Sequence, residues 1–249
     1  MILKDLHVHT VFSDGKNTPE EMVLAAIDKG MECIGFSDHS YALEDADFCV
    51  ARENIPDYKK TINALKDKYK DKIQVLCGIE QDLYADEPAE GYDYVIGSVH
   101  RVKAEDTYVC VDHTADVLAS GVGRYFGGDY YALAEAYFDA LSQLADVEKI
   151  DVVGHFDLLT KFNEGGRFFD ESHPRYVAAW QKAADRLLTK GVPFEINTGA
   201  ISRGYRTQPY PAEPIREYIR KKGGSFILSS DSHKAENLCF GFEEWEKCL

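Results

Sequence analysis

Short apolar runs recur along the chain, and helix-like segments rich in polar residues follow most of them. Runs of this length, bounded by turn residues, are typical of buried strands. The predicted strands lie at residues 2–9, 32–37, 73–80, 93–99, 150–154, 192–197 and 225–229. The predicted helices lie at residues 19–29, 55–70, 129–147, 171–190 and 212–222.

The ends of these helices carry recognisable signals. In the first helix, Thr18-Pro19-Glu20-Glu21 supplies an N-cap, a proline at the first helical position and a Glu for a capping box. Gly30 is the expected C-cap, and Gly191 and Gly223 end two later helices. Seven strands that alternate with helices predict an α/β fold in which a parallel sheet closes, or nearly closes, into a barrel. We expect residues 1–249 to form one domain.

One connection does not fit a simple alternation of strands and helices. Residues 101–128 form a link too long for an ordinary strand-to-helix connection. We expect this segment to cover a functional opening, with Tyr108, Tyr125 and Phe126 forming a lid over a small substrate.

Length and composition narrow the class of protein. A chain of 249 residues is within the range of a single α/β barrel. The chain contains no run of 18 or more apolar residues, so we expect no membrane span. We also expect no signal peptide, because the first predicted strand begins at about Ile2. The cysteines, at positions 33, 49, 77, 110, 239 and 248, include no C-x-x-C pair. They indicate reduced thiols and a cytoplasmic location rather than a disulfide framework.

The net charge excludes some partners and raises a question about others. A formal charge of −15 repels nucleic-acid backbones and anionic membrane surfaces. We therefore expect neither nucleic acid nor membrane as a partner. A phosphorylated substrate would also be repelled, unless a local positive charge overrides the charge of the whole chain.

Ionisable residues stand at the carboxyl ends of six of the seven predicted strands. His7 and His9 are two residues apart, so on a strand both project to the same side and Val8 to the other. The remaining strand-end residues are His39, Glu80, His100, His155, Asp231 and His233. In a parallel barrel all these ends meet on one face, where barrel enzymes place their chemistry.

Asp14 can reach the same face from the loop after the first strand. Ser13-Asp14-Gly15 alone is more often a structural turn, but beside the other eight residues Asp14 becomes a plausible ligand. Burying so many ionisable groups without a metal would be costly. Imidazole and carboxylate ligands without thiolate suit Zn, Fe or Mn, and nine ligands suit two or three ions sharing a bridging carboxylate. His113 and His173 lie outside this set and are expected at the surface.

Several motifs together resemble a known family. The segments "DLHVHTVFSDGKNTPEEM", "GFSDHS", "GIEQD", "GSVH", "GHFDLLTKF" and "SSDSH" are similar, in order and spacing, to the successive motifs of the PHP (polymerase and histidinol phosphatase) family. The similarity covers essentially the whole chain, and the branch it resembles most is that of the histidinol-phosphate phosphatases.

This resemblance implies a distorted (β/α)7 TIM-like barrel and a trinuclear centre of divalent ions, whose identity the motifs leave open. The implied ligand sets are His7, His9, Glu80 and Asp231 for one ion, Glu80, His100 and His155 for the second, and Asp14, His39 and His233 for the third. It also implies the hydrolysis of L-histidinol phosphate to L-histidinol and phosphate in histidine biosynthesis.

The expected mechanism is in-line attack on phosphorus by a hydroxide that bridges two ions. Glu80, Asp231 and His233 are the expected catalytic residues, with Asp231 or a bound water as the proton donor to the leaving group. The ions would supply the local positive charge that a phosphate needs. Arg203 is the first candidate to bind the phosphate and Lys161 the second, because Arg can be bidentate.

Arg101 is a weaker phosphate-binding candidate, since strand alternation should point it away from His100.

Three alternatives to a histidinol-phosphate phosphatase also stay open. A nuclease or nucleotide phosphoesterase of the same family would need a basic groove with stacking aromatics, which the charge of −15 disfavours. A protein-tyrosine phosphatase of the same fold would need a wide, shallow mouth. A noncatalytic metal-binding module would leave no room for water at the ions.

Overall fold

The structure, a computed structural model, describes residues 3–249. Its strands are β1 (Lys4–Asp5), β2 (Cys33–Phe36), β3 (Gln74–Asp82), β4 (Tyr94–Ser98), β5 (Arg101–Ala104), β6 (Thr107–Cys110), β7 (Val152–Val153), β8 (Phe194–Asn197) and β9 (Phe226–Ser229). Its helices are α1 (Pro19–Asp28), α2 (Ile55–Tyr69), α3 (Ala115–Tyr125), α4 (Tyr130–Ser142), α5 (Pro174–Leu188), α6 (Gly199–Ser202), α7 (Glu213–Lys221) and α8 (Phe242–Trp245). Over these residues no helix has the length and apolar character needed to cross a membrane.

Seven parallel strands form the predicted barrel. They pair in the order β1–β2–β3–β4–β7–β8–β9, and every pairing in this sheet is parallel. The two edges meet through one bridge, in which His9 N donates to Ser232 O (2.8 Å) and Ser232 N donates to His7 O (3.0 Å). The barrel is thus a distorted (β/α)7 barrel, and its seam joins the segment after β1 to the segment after β9.

The first strand is shorter than predicted. The regular ladder with β2 ends at Asp5, and Val8 pairs separately with Ser232. Val8 is fully buried in the main core, as the alternation from His7 and His9 predicts. Ile2, where the predicted strand begins, lies outside the described residues.

The helices largely follow the predicted boundaries. The capping box of α1 is present: Glu21 N donates to Thr18 Oγ1 (3.3 Å) and Thr18 N donates to Glu21 Oε2 (2.8 Å). Lys29 is the C-cap residue, and Gly30 follows with φ +70°, a conformation that glycine adopts without strain. Helix α5 begins later than predicted, at Pro174, because His173 Nδ1 accepts the backbone N–H of Arg175 (3.2 Å) as an N-cap.

The long connection contains regular structure that the sequence pattern did not predict. Residues 101–128 hold the antiparallel hairpin β5–β6 and most of their remainder forms α3. The expectation that Tyr108, Tyr125 and Phe126 form a lid is wrong, because none of the three lines either cavity at the carboxyl ends of the barrel strands. Tyr108 lies on β6 with its ring 5.0 Å from that of Tyr84, and Tyr125 and Phe126 pack against the core.

An apolar layer inside the barrel supports the face that carries the site. Tyr94 fills much of it, donating from its hydroxyl to Leu6 O (2.5 Å). Gly35 and Gly78 leave room for the ring, since a Cβ on Gly78 would lie 2.3 Å from Tyr94 Cζ. Gly78 and Glu80 share one face of β3, so this layer lies directly beneath Glu80.

Candidate metal centre

The residues predicted as ligands converge at the carboxyl ends of the barrel strands, with Glu80 at their centre. Glu80 Oε2 lies 2.8 Å from His39 Nδ1, 3.2 Å from His7 Nε2 and 3.6 Å from His9 Nε2. The side chains of Glu80, His7 and His9 are completely buried. One oxygen of this carboxylate therefore faces three imidazoles that come from the ends of the first two barrel strands.

The other oxygen of Glu80 faces a different pair of histidines. Oε1 lies 2.7 Å from His155 Nε2 and 3.2 Å from His100 Nε2. A carboxylate whose two oxygens face separate groups of imidazoles has the geometry to bridge two cations. The predicted bridging position of Glu80 agrees with this arrangement.

Asp231 adds a second carboxylate on the side of His7 and His9. Its Oδ1 lies 3.3 Å from His9 Nε2 and 3.8 Å from His7 Nε2. Asp231 has φ +49°, a conformation rare outside glycine and one that often marks functional sites. The barrel seam at Ser232 is what brings Asp231 beside two histidines that are more than 220 residues away in sequence.

Asp14 reaches the site because its loop folds back over the first strand. Gly15 N donates to Thr10 O (2.9 Å), and a Cβ on Gly15 would lie 2.6 Å from the carbonyl of His9, so only glycine fits. Asp14 Oδ2 then lies 3.1 Å from His233 Nε2. The turn expected from Ser13-Asp14-Gly15 also carries a site residue.

The donor atoms form four overlapping groups, each with all its atoms within 4.8 Å of one another. These groups are His9, Asp14, His39 and His233; His7, Glu80 and His155; His7, His9 and Asp231; and His39, Glu80 and His100. All nine predicted ligands are included. The ligand sets that the family resemblance implies differ in detail from these four groups. His9 also stands beside Asp14, and His100 and His155 fall in different groups around Glu80.

The chemistry of this cluster fits bound cations. Within it, His7 Nε2, both ring nitrogens of His9 and Asp14 Oδ1 are buried without a hydrogen bond of good geometry. Unpartnered buried polar atoms are costly, and a divalent ion would satisfy several at once. Imidazole and carboxylate donors without sulfur suit Zn, Fe or Mn.

Glu195, which the sequence analysis missed, holds two of the histidines. Its Oε1 accepts from His7 Nδ1 (2.7 Å) and from Ser229 Oγ (2.6 Å). Its Oε2 accepts from the backbone N–H of His155 (2.9 Å) and from Asn197 Nδ2 (3.0 Å). When His7 gives up one proton to bind a cation, Glu195 keeps the other on Nδ1, so that Nε2 faces the centre of the site with a free lone pair. The signal in the sequence is a charged residue inside the apolar strand "PFEIN".

A second carboxylate has the same role for His100. Asp82 Oδ2 accepts from the backbone N–H of His100 and lies 3.0 Å from His100 Nδ1. Asp82 Oδ1 accepts from Tyr84 N (2.8 Å). Asp82 is thereby occupied in orienting His100 Nε2 towards Glu80.

The central carboxylates are strongly ionised. Burial raises the pKa of Glu80, but the positive charges of His7 and His100 outweigh it, and the pKa lies well below its usual range. Burial also raises the pKa of Asp231, but Arg203 and His7 lower it to well below its usual range. Both side chains are therefore available as anionic ligands.

The histidines respond to their neighbours in opposite directions. Burial and repulsion from His233 and His39 lower the pKa of His9 to about 3. Burial lowers the pKa of His39, but Glu80 and Asp14 outweigh it and raise the pKa to about 9. His9 is neutral at neutral pH and can donate a lone pair at once, whereas His39 must lose a proton when it binds a cation.

Arg203 and Lys161 both line the central cavity at the site, which has a volume of about 160 Å³. Arg203 Nη2 donates to Asp231 Oδ2 (3.0 Å) and Nη1 donates to Asp231 O (2.9 Å). Lys161 Nζ donates to Asp112 O (2.6 Å). Both cations therefore lie where a phosphate could reach them, and Arg203 also braces Asp231.

A second cavity, which we call the side chamber, adjoins the central cavity and has a volume of about 170 Å³. It shares Asp14, His39, His100, Asp112 and Lys161 with the central cavity, and the rest of its lining comes from Ser40, Asp45, Phe48, Cys49, Asp82, Arg101, Cys110 and His113. The expectation that Arg101 points away from His100 is wrong, since both line the side chamber, but Arg101 does not line the central cavity with Arg203 and Lys161. Strand β4 ends at Ser98 and Arg101 begins the separate hairpin, so the alternation does not extend from His100 to it.

The two remaining histidines differ in position. His113 is exposed, as predicted, but it lines the mouth of the side chamber. His173 stacks on Tyr131, with ring centroids 4.0 Å apart, and lies on neither cavity wall.

Comparisons with known proteins agree with this architecture. A family model described as "PHP domain" matches residues 5–199. The chain is 30% identical to the "Probable histidinol-phosphatase" of Deinococcus radiodurans over 97% of this chain and 90% of that one. It is 24% identical to the "Histidinol-phosphatase" of Bacillus subtilis over 98% of this chain and 99% of that one.

A solved structure shows the same fold. It is the histidinol phosphate phosphatase of Lactococcus lactis, complexed with Zn, L-histidinol and phosphate, which superposes with a TM-score of 0.69. The identity is 24%, over 99% of this chain and 94% of that one.

Proposed function

The chain belongs to the PHP domain family, and from this membership we propose that it is a histidinol-phosphatase. It is a metal-dependent phosphomonoesterase that hydrolyses L-histidinol phosphate to L-histidinol and phosphate, a step of histidine biosynthesis. One observation carries the proposal: nine donors surround the two oxygens of Glu80 in a chain that matches histidinol-phosphatases along nearly its whole length. We propose that residues 1–249 act as one domain.

Three divalent ions are the cofactors of this proposal. The nine donors and their unpartnered buried atoms support such a centre, and the Zn in the Lactococcus lactis structure makes Zn the first metal to test beside Fe and Mn. When bound, such ions lower the pKa of water and stabilise the charge that develops on a phosphoryl group.

The protein's own residues have distinct roles in the reaction. Glu80 presents one oxygen to each of two imidazole groups, so it would hold ions on both sides. Asp231 and His233 close the opposite side, where Arg203 donates to Asp231 Oδ2 (3.0 Å). Because Arg203 occupies Asp231 Oδ2, we propose that a water rather than Asp231 donates the proton to the leaving group.

Arg203 and Lys161 are the proposed phosphate ligands. Both line the central cavity beside the donor cluster, and their charges favour a phosphate there despite the formal charge of −15 on the whole chain. The two cavities share five lining residues, so a small phosphomonoester bound at the metal centre would lie beside the side chamber. We propose this small molecule as the substrate, with neither nucleic acid nor membrane as a partner. The free cysteines support a cytoplasmic location.

Phosphate release from histidinol phosphate, phosphotyrosine and a short oligonucleotide tests the proposal. We expect the highest kcat/KM for histidinol phosphate and a loss of activity after chelation, with recovery when Zn, Fe or Mn is restored. A higher kcat/KM for phosphotyrosine or the oligonucleotide would contradict the proposal that histidinol phosphate is the substrate. Turnover that survives complete metal removal would contradict the mechanism.

A further inference from the structure

The side chamber differs in chemistry from the central cavity that it adjoins. Its acidic residues outside the nine predicted ligands are Asp45, Asp82 and Asp112, and Phe48 and His113 supply rings. The chamber's volume of about 170 Å³ far exceeds the roughly 15 Å³ that one water needs. It therefore has room for a small organic group beside the metal centre.

Asp112 is placed where the two cavities meet, and its carboxylate is not fully used. Asp112 Oδ2 lies 3.9 Å from Lys161 Nζ, beyond hydrogen-bond distance, and its side chain is 24% exposed. Its only side-chain hydrogen bond among the described residues is the weak one that Oδ1 accepts from Cys110 Sγ (3.2 Å). Asp82, by contrast, is fully occupied by His100 and Tyr84. Asp112 can therefore accept a further donor.

Asp45 lines the side chamber but not the central cavity. Its Oδ2 lies 3.5 Å from Arg101 Nη1, and its side chain is 30% exposed. Phe48 contacts the ring of His113 edge-on, with centroids 5.4 Å apart, and so brings the loop after β2 against the hairpin segment. A flat group in this place would meet a carboxylate and an aromatic side chain together.

We propose that the side chamber binds the leaving group, with Asp112 accepting its ammonium and Asp45 and Phe48 binding its imidazole. This assignment rests on the proposed function. In histidinol phosphate the amine is on the carbon next to the CH2–O–P unit, so it must stay close to the phosphate, where Asp112 lies in both cavities. The imidazole is one carbon further away, which matches residues that line the chamber alone. Asp45 and Asp112 are thus specificity-determining residues.

Three substrates separate the two acidic positions. Histidinol phosphate has both groups, its des-amino analogue, imidazolylpropyl phosphate, keeps only the ring, and phosphoethanolamine keeps only the amine. We expect the Asp112→Asn variant to lose about tenfold in kcat/KM for the two amine-bearing substrates relative to the analogue. The Asp45→Asn variant should lose about tenfold for the two ring-bearing substrates relative to phosphoethanolamine.

Asp47→Asn is the matched control, because Asp47 is an exposed acid on the same loop as Asp45 and lines neither cavity. It should change none of the substrate ratios. Suppose that the wild-type enzyme hydrolyses histidinol phosphate, but that both chamber variants keep the wild-type ratios of kcat/KM between the substrates. That result would overturn the assignment of the side chamber and leave the proposed function standing. A wild-type enzyme that hydrolyses none of the three compounds would overturn the proposed function and this assignment with it.

Discussion

Replacing Glu195 by Gln tests how the histidines of the metal centre are held. The carboxylate of Glu195 accepts four hydrogen bonds and donates none: two on Oε1, from His7 and Ser229, and two on Oε2, from His155 N and Asn197. Glutamine has the same shape but only one oxygen. Its NH2 group must therefore face two donors, whichever way the amide is turned.

The size of the effect can be worked out from those contacts. If the NH2 group faces His7, the proton of that ring moves from Nδ1 to Nε2, the atom that faces Glu80 at 3.2 Å. If it faces the other side, it meets the backbone N–H of His155, which cannot change its role. Losing such a partner of a metal-bound histidine typically weakens metal binding about 10- to 100-fold. Two lost hydrogen bonds to a buried charge also cost roughly 3–6 kcal/mol of stability, less whatever the site recovers by rearranging.

Metal affinity measured by chelator competition is the deciding assay, with urea unfolding of the same variant measured alongside. Ser229→Ala is the control, since it removes one of the four donors to Glu195 and leaves His7 Nδ1 bonded to Oε1. We expect Glu195→Gln to lose affinity and Ser229→Ala to keep most of it. Wild-type metal affinity in Glu195→Gln would refute the reasoning, because the tautomer of His7 would then not depend on this carboxylate.

Three further outcomes are expected from changes at single positions. His9→Ala should release metal, measured as ions bound per chain, while the far-UV circular dichroism stays unchanged; full occupancy would remove His9 from the ligand set. Lys161→Met should raise KM for histidinol phosphate roughly tenfold at unchanged metal content, and an unchanged KM would exclude Lys161 from phosphate binding. Gly78→Ala should cost roughly 1–3 kcal/mol in urea unfolding, since its Cβ would lie 2.3 Å from a tyrosine ring beneath the site. Gly123→Ala, with no atom within 4 Å of the added Cβ, is the matched control and should shift stability by less than about 1 kcal/mol; equal losses would contradict the packing argument.

The sequence determined the order of the strands and the membership of the candidate site. Short apolar runs separated by capped helices predict a parallel barrel, and in a parallel barrel every carboxyl end lies on one face. A residue at the end of a strand is therefore placed at the site by topology alone. For that reason Glu80, His100 and His155 could be brought together without knowing any distance.

Residues that act from within strands or from irregular segments could not be found in the same way. Glu195 lies within β8 and meets His7 across 188 positions of sequence, a contact that no local pattern encodes. Arg101 was misplaced because the break between β4 and β5 interrupts the alternation on which its prediction relied. The hairpin containing it was missed because its turn, at Glu105 and Asp106, lacks the Asn-Gly or Asp-Gly pair that signals a hairpin in a sequence.

The tertiary structure alone decided which ligands stand beside one another. The period of a strand places His7 and His9 on one side, but only the seam at Ser232 sets Asp231 3.3 Å from His9 Nε2. Only the fold of the Asp14 loop over Gly15 brings that carboxylate to within 3.1 Å of His233. Distances of this kind depend on barrel closure and loop packing, which involve residues far apart in sequence, whereas the choice of donors depends only on the residue types at the end of each strand.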